Sequence, residues 1–208
     1  CMAISVAVAV GPVADPLVKL LAEKVRKLRI GPGLDPDSEM GPLVSAAHLA
    51  KVRGYVDAGL HDGAKLVVDG RAIKLQGFEN GFFLDGAQGH LGDVVCVLRV
   101  DDMPSAIKLI DDHPYGNGTA IFTRDGETAR SFIDRVQIGI VGVNVPIPVP
   151  MAYYSFGGWK RSLFGPLHVH GSDGIRFFTR TKTVTQRWPH QETSGETPGA
   201  GLIMPTMR

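Results

Sequence analysis

The fold is decided by the stretch VVCVLRVDDMPSAIKLIDDHPYGNGTAIFTRDGETARSFIDRVQIGIVGVNV, which runs from residue 94 to residue 145. Three apolar runs within it, at 94–100, 118–122 and 139–145, have the length of strands, and the two segments between them have the length and apolar spacing of helices. Strands that alternate with helices through short links are typical of a parallel α/β sheet. We therefore predict an α/β fold with an open, mostly parallel sheet flanked by helices.

Elsewhere the sequence predicts a first strand at 4–10. It also predicts a helix that begins at Ser45, because a serine hydroxyl can accept a hydrogen bond from a free N–H group at the start of a helix. Residues 177–184 alternate imperfectly between apolar and polar side chains, which favours a late and more exposed strand. The stretch 190–208 is polar and rich in Thr, Gly and Pro, and we expect a flexible tail there.

Composition and charge argue against several classes of protein. The chain has 208 residues, of which 44% are apolar and 21% charged, and this is an ordinary profile for a soluble globular protein. Lys and Arg number 22 against 21 Asp and Glu, a net charge of +1. This balance gives no electrostatic reason to expect a nucleic acid or an anionic membrane as partner. We also expect no membrane span, since no long uncharged apolar window occurs.

The two cysteines lie in very different surroundings. Cys96 stands within an apolar run and is predicted to be a buried core thiol, which together with the absence of a disulfide framework favours a reducing compartment, the cytoplasm. Cys1 opens the chain with no Met before it, as in a processed or truncated protein. Its thiol has two interpretations. It is the nucleophile of a larger enzyme, or an N-terminal nucleophile with its own α-amine as base.

A stiff loop follows the last strand of the deciding stretch, with prolines at alternate positions of Asn144-Val145-Pro146-Ile147-Pro148-Val149-Pro150. Because ligands bind at the carboxyl ends of parallel strands, we predict that this loop and the aromatic residues after it line a small pocket. A packed loop without a ligand is the alternative. His168 and His170 would share one face of a strand, but no Cys or third His stands nearby, and we expect no metal site.

Seven short motifs match a single family in the same order along the chain. They are Cys1-Met2-Ala3 and the segments 40–52, 59–66, 115–123, 142–150, 156–162 and 181–184. On these motifs the chain resembles the aldehyde dehydrogenase superfamily, and within it the CoA-acylating methylmalonate-semialdehyde dehydrogenases. The resemblance implies a catalytic domain at 1–170, an oligomerisation strand segment at 171–189, and a homo-oligomer, either a dimer or a tetramer.

The resemblance also implies the chemistry. Cys1 would be the catalytic nucleophile, and Met2, Ile147 and Phe156 would form the substrate pocket, with Phe156 as its aromatic wall. In the family a cysteine thiolate attacks a semialdehyde, NAD accepts the hydride, and the thioester loses carbon dioxide and passes its acyl group to coenzyme A. The expected products are propionyl-CoA or acetyl-CoA, in valine catabolism. A thiol suits this role because it is nucleophilic and its thioester transfers readily to a second thiol.

The chain departs from the family between residues 85 and 93. There the family has a longer stretch ending in a Glu-Ile-Phe-Gly-Pro motif, whose Glu binds the nicotinamide ribose, whereas this chain runs straight into the next strand. Leu163 also replaces a Gly that is usual in the family. The family's dinucleotide-binding domain lies mostly before the cysteine, so the cofactor-binding residues stay unassigned and we expect this chain alone to be inactive or nearly so.

Two functions from other classes stay open. One is a hydrolase that uses Cys1 as N-terminal nucleophile, although such enzymes favour antiparallel sheets and the strand–helix alternation argues against it. The other is a non-catalytic oligomerisation module, because an exposed edge strand pairs readily with a second chain.

Overall fold

The structure is a computed structural model that describes residues 4–84 and 94–186 of the chain. The predictions for Cys1, Met2, the departure at 85–93 and the tail at 190–208 lie outside the described residues. The described helices and strands, in chain order, are β1 (Val6–Val10), α1 (Ala14–Val25), α2 (Ala46–His61), β2 (Cys96–Val100), α3 (Met103–Asp111), β3 (Tyr115–Gly116), β4 (Gly118–Ile121), α4 (Gly126–Arg135), β5 (Ile140–Val143), β6 (Trp159–Lys160) and α5 (Gly171–Phe178).

The described strands form three pairs. β1 runs parallel to β2, and β4 runs parallel to β5 with Gly118 opposite Ile140 and Ile121 opposite Val143. β3 and β6 form a short antiparallel pair. The predicted α/β class with parallel pairing is therefore confirmed. Among the described residues the two parallel pairs are separate two-stranded sheets rather than neighbours in one sheet.

The main core lies where α3 and α4 meet strands β4 and β5. Ile107, Phe132, Val136 and Ile138 are buried together there, and Met103, Ile110, Ile121 and Val141 pack against them. The pattern arises from the sequence, because the apolar residues of α4 recur three and four positions apart and so share one face. The helix links are short, so this face closes directly on the strands that flank it.

Side-chain caps begin α2, α3 and α4, whereas α1 begins after Val13 without one. Ser45 Oγ accepts from His48 N at 3.2 Å, which confirms the predicted start of α2. Asp102 caps α3 and Asp125 caps α4. Hydrogen bonds from Ser105 lower the pKa of Asp102, and hydrogen bonds from Thr128 lower the pKa of Asp125, because each stabilises the ionised carboxylate.

One prediction from the sequence was wrong and a second was wrong in part. Cys96 is exposed rather than buried. Its apolar neighbours on the β1–β2 pair, Val6 and Leu98, are also exposed, because a pair of strands covered on only part of its surface cannot bury every residue of an apolar run. The inference of a core thiol from the run alone therefore fails.

The late strand predicted at 177–184 is wrong for residues 177 and 178, and stays a prediction for residues 179–184. Phe177 and Phe178 end helix α5, which begins at Gly171. Thr179 then has extended backbone angles, φ −123° and ψ 164°, and residues 179–186 have no paired strand in the described part of the chain. A strand needs a neighbour for its backbone hydrogen bonds, and this segment finds none within the described chain.

Candidate active-site cleft

Asn144 fixes the point at which the proline-rich loop leaves β5. Its backbone is in the left-handed region, with φ 57°, which Asn tolerates better than most residues. Its side-chain Oδ1 accepts from Thr123 N at 3.0 Å, and its Nδ2 donates to Thr123 O at 3.0 Å. These two bonds tie together the segments that follow β4 and β5, so the loop starts from a rigid point.

The loop then folds back along β5. A Cβ on Gly142 would lie 2.6 Å from Val145 O and 3.0 Å from Pro148 Cβ, so the turn and the second proline occupy the space that a side chain would need. The glycine thus allows Pro148 to pack directly on the strand. As a result the loop returns toward the amino end of β5 instead of extending beyond its carboxyl end.

This return creates a cleft of about 70 Å³. It is lined by Asn117, Gly118, Ile140, Pro148, Val149, Phe156 and Gly157, which we call the Phe156 cleft. The apolar and aromatic lining predicted for the loop is present. Its place differs from the prediction, because Gly118 and Ile140 begin their strands and the cleft therefore lies at the amino ends of β4 and β5.

The sequence-predicted site residues fall into two groups. Phe156 lines the cleft, whereas Ile147 is half-buried next to Pro148 and is not part of the lining. Cys1 and Met2 lie outside the described residues. Asn117, which the sequence did not single out, contributes the one polar side chain among the lining residues. Such a cleft suits a small, mostly apolar ligand with one hydrogen-bonding group.

The segment after Phe156 is held by carbonyl groups and one hydroxyl. Lys160 Nζ donates to Asp111 O at 2.9 Å and approaches Ile110 O and His113 O at 3.4 and 3.3 Å. It therefore caps the carboxyl end of α3, where a cation is favoured. Ser162 Oγ accepts from Gly116 N at 3.1 Å. These contacts give Lys160 a structural role rather than one in anion binding.

His168 and His170, the pair weighed as metal ligands, lie close to the cleft wall. The His170 ring stacks on Phe156, and the His168 ring contacts Gly157. No group of three or more His, Cys, Asp or Glu side chains within 4–84 and 94–186 is arranged to hold a metal ion. In the same part of the chain no helix is both long and apolar enough to cross a membrane.

A larger cleft of about 370 Å³ lies beside α2, lined in part by Arg53, Arg71 and Lys74. Arg71 is bound to Asp57 and Asp69. Hydrogen bonds from Arg71 lower the pKa of Asp69 to about 2, which keeps this carboxylate ionised. No local sequence pattern predicts this cleft, because its lining comes from one turn of α2 and two separate loop segments, at 71–74 and 79–83.

Comparison with known proteins places the chain in a family. The sequence profile described as "Aldehyde dehydrogenase family" matches residues 1–87 and 88–184. The malonate-semialdehyde dehydrogenase of Pseudomonas aeruginosa is 56% identical over 205 residues, covering 92% of this chain and 41% of that protein. The bovine mitochondrial acylating methylmalonate-semialdehyde/malonate-semialdehyde dehydrogenase is 40% identical, and the alignment covers 100% of this chain and 40% of that protein.

Solved structures agree with the sequence relatives. A Sinorhizobium meliloti protein, assigned as a methylmalonate-semialdehyde dehydrogenase and solved in complex with NAD, superposes with a TM-score of 0.84 at 51% identity. The methylmalonate-semialdehyde dehydrogenase of Oceanimonas doudoroffii has the same TM-score at 50% identity. Each superposition covers 91% of this chain and 42% of the other. The chain thus spans about two fifths of the length of the relatives it matches.

The matches also bear on the departure seen between residues 85 and 93. The profile match is divided between residues 87 and 88. The bovine alignment extends over 220 positions for the 208 residues of this chain, so that relative has residues within the aligned region that this chain lacks. Apart from this shortfall the match runs through most of the chain. The chain belongs to the aldehyde dehydrogenase family.

Proposed function

We propose that this chain is the catalytic portion of an NAD-dependent, CoA-acylating methylmalonate/malonate semialdehyde dehydrogenase. The observation that carries the proposal is its 56% identity to a malonate-semialdehyde dehydrogenase over 92% of its length. Cys1 is the proposed nucleophile, and the acyl group that it receives is released to coenzyme A as propionyl-CoA or acetyl-CoA after loss of carbon dioxide. Met2, Ile147 and Phe156 are the proposed substrate pocket.

The Phe156 cleft supports a small acyl group as ligand. Its volume of about 70 Å³ is well below the roughly 300 Å³ at which typical ligand pockets begin. Apolar walls from Pro148, Val149 and Phe156 suit a short carbon chain, and the Asn117 amide offers a hydrogen bond to an oxygen. The lining excludes bulk water from one side of the acyl group, which protects a thioester from hydrolysis.

The Phe156 cleft is too small to enclose a dinucleotide. NAD, when bound, supplies the hydride acceptor of the reaction. The relatives are about two and a half times as long as this chain, and we expect the NAD-binding surface mostly in the part that the chain does not span. For this reason we expect the 208-residue chain alone to be inactive or nearly so.

Coenzyme A as co-substrate, a thioester intermediate and a place in valine catabolism are part of the same proposal, and the acylating activity in the name of the bovine relative supports the acyl transfer. Thr179 has an extended backbone, and residues 179–186 have no paired strand among the described residues. This supports a homo-oligomer, since a second copy can supply a strand beside them. The free thiol of Cys96 supports a reducing compartment, the cytoplasm.

The test is a chimera in which this chain replaces the matching 41% of the Pseudomonas aeruginosa enzyme. We expect NADH and acetyl-CoA from malonate semialdehyde, NAD and coenzyme A. The Cys1→Ser chimera is expected to lose about a thousandfold or more in kcat, because an alcohol is a far weaker nucleophile than a thiolate.

A second chimera isolates the departure at 85–93 by restoring the relative's own residues there. Activity in either chimera that depends on Cys1 supports the proposal. A folded second chimera without activity, or a Cys1→Ser chimera as active as its parent, contradicts it. Amide hydrolysis by the 208-residue chain that Cys1→Ala abolishes would instead favour the N-terminal nucleophile.

A further inference from the structure

Two histidines support the wall of the Phe156 cleft without lining it. The ring centroids of His170 and Phe156 are 4.6 Å apart, and their planes are inclined by only 14°. The His168 ring lies against Gly157, where a Cβ would clash with Cδ2 and come within 3.1 Å of Nε2. Because Phe156 and Gly157 are consecutive lining residues, each histidine fixes one of them.

The segment with the two histidines is joined to the cleft wall by hydrogen bonds. Ser155 Oγ donates to His170 O at 3.1 Å and accepts from Asp173 N at 3.2 Å. Gly171 N donates to Ala152 O at 3.2 Å. The start of α5 and the residues before Phe156 thus form one unit, so a displacement of the histidine segment is transmitted to the wall.

The position of His168 is energetically unfavourable for one of its ring nitrogens. Its Nδ1 lies 3.5 Å from Asp173 Oδ2, and the two side chains are 19% and 20% exposed. Its Nε2 is buried and has no hydrogen-bond partner among the described residues. A buried polar atom without a partner is unfavourable. The flat ring nevertheless packs closely on Gly157, in the space that a Cβ at that position would occupy.

We propose that His168 and His170 are positioning residues that set the width of the Phe156 cleft and thereby the size of the acyl group it accepts. This inference rests on the proposed function, because it takes the cleft as the acyl pocket. Neither histidine lines the cleft. His170 holds the Phe156 ring flat by stacking, and His168, oriented by Asp173, keeps Gly157 in place.

The test compares His170→Leu, which fills similar space without a flat ring, with His170→Phe, which restores one. Tyr153→Leu is the matched control, because Tyr153 is an exposed aromatic of the same loop that does not line the cleft. Each variant is made in the active chimera, where KM and kcat are measured, and in the 208-residue chain, where NMR follows the labelled Phe156 ring.

We expect His170→Leu to lower kcat/KM about tenfold, mainly through KM, because a displaced wall misplaces the bound acyl group. His170→Phe should restore both KM and the Phe156 chemical shift, and Tyr153→Leu should change neither. Unchanged KM with a shifted Phe156 signal, or loss in both His170 variants alike, overturns the inference. If every chimera is inactive, the proposed function fails, and an unshifted Phe156 signal in His170→Leu then overturns the positioning role by itself.

Discussion

Two regions of the molecule have similar helix content and very different packing. In the segment 102–143 each of α3, β4, α4 and β5 contributes a residue to one apolar cluster. In the segment 14–84 the 16-residue helix α2 buries a single residue, Val52, and its Tyr55 is 58% exposed. Four residues are buried together in the first region, whereas the buried cluster next to α2 has only two, Val52 and Leu84.

This contrast shows where stability and function are concentrated. Local stability follows the density of buried contacts, and loosely covered segments open first. The Phe156 cleft is built on β4 and β5, at the edge of the tightly packed region, so its walls have a rigid base. The larger cleft beside α2 belongs to the less densely packed region, where the buried cluster is small and Arg71 forms ion pairs with Asp57 and Asp69.

Truncating one core residue in each region tests the contrast most strongly. Phe132→Ala should lower the free energy of unfolding by about 3–5 kcal/mol, because it removes a buried ring from a cluster that cannot collapse. Val52→Ala should cost about 2 kcal/mol, from two lost methyl groups and a small cavity. Urea unfolding followed by circular dichroism measures both. An equal loss in the two variants would contradict the difference in packing.

The same contrast separates the features that could be predicted from the sequence from those that could not. The strands and helices of 94–145 were predictable because their regularly spaced apolar residues pack against elements that are close in the chain. The exposure of Cys96 was not, since burial depends on what covers a strand and no local pattern encodes that. Phe156 was identified through the family motif, but the packing of Pro148 on Gly142 and of His168 on Gly157 depends on how the loops fold back, which no local pattern encodes.

Two glycine substitutions test the same comparison with smaller expected changes in the free energy of unfolding. A Cβ on Gly139 would clash with the backbone carbonyl of Gly157, whereas a Cβ on Gly54 in α2 meets nothing within 4 Å. Gly139→Ala should therefore cost about 1–3 kcal/mol, because backbone must shift. Gly54→Ala should stabilise by about 0.5–1 kcal/mol through helix propensity. Thermal unfolding of the two variants should shift in opposite directions, and a shared direction would argue against the difference in free space.

The helix caps give the smallest and most specific difference between the regions. Asp125 caps α4 with a carboxylate whose pKa is lowered by hydrogen bonds from Thr128, whereas Ser45 caps α2 with a hydroxyl that does not titrate. A lowered pKa in the folded state means that the carboxylate stabilises the protein above its ordinary pKa of about 3.9, and that this contribution is lost as the pH falls through the lower folded value. Asp125→Ala should thus lower Tm at neutral pH.

The difference in Tm between the parent protein and Asp125→Ala should become smaller as the pH falls from about 6 to about 3. The parent protein loses its ionised cap over this range, whereas the variant has no carboxylate at this position. Ser45→Ala should cost about 1 kcal/mol at every pH, since only a neutral acceptor is removed. Asp125→Asn serves as the control, because the amide oxygen can still accept from the helix start without titrating. If the loss of Tm in Asp125→Ala did not depend on pH, the charge of the Asp125 carboxylate would not contribute to the stability of α4, which contradicts the prediction.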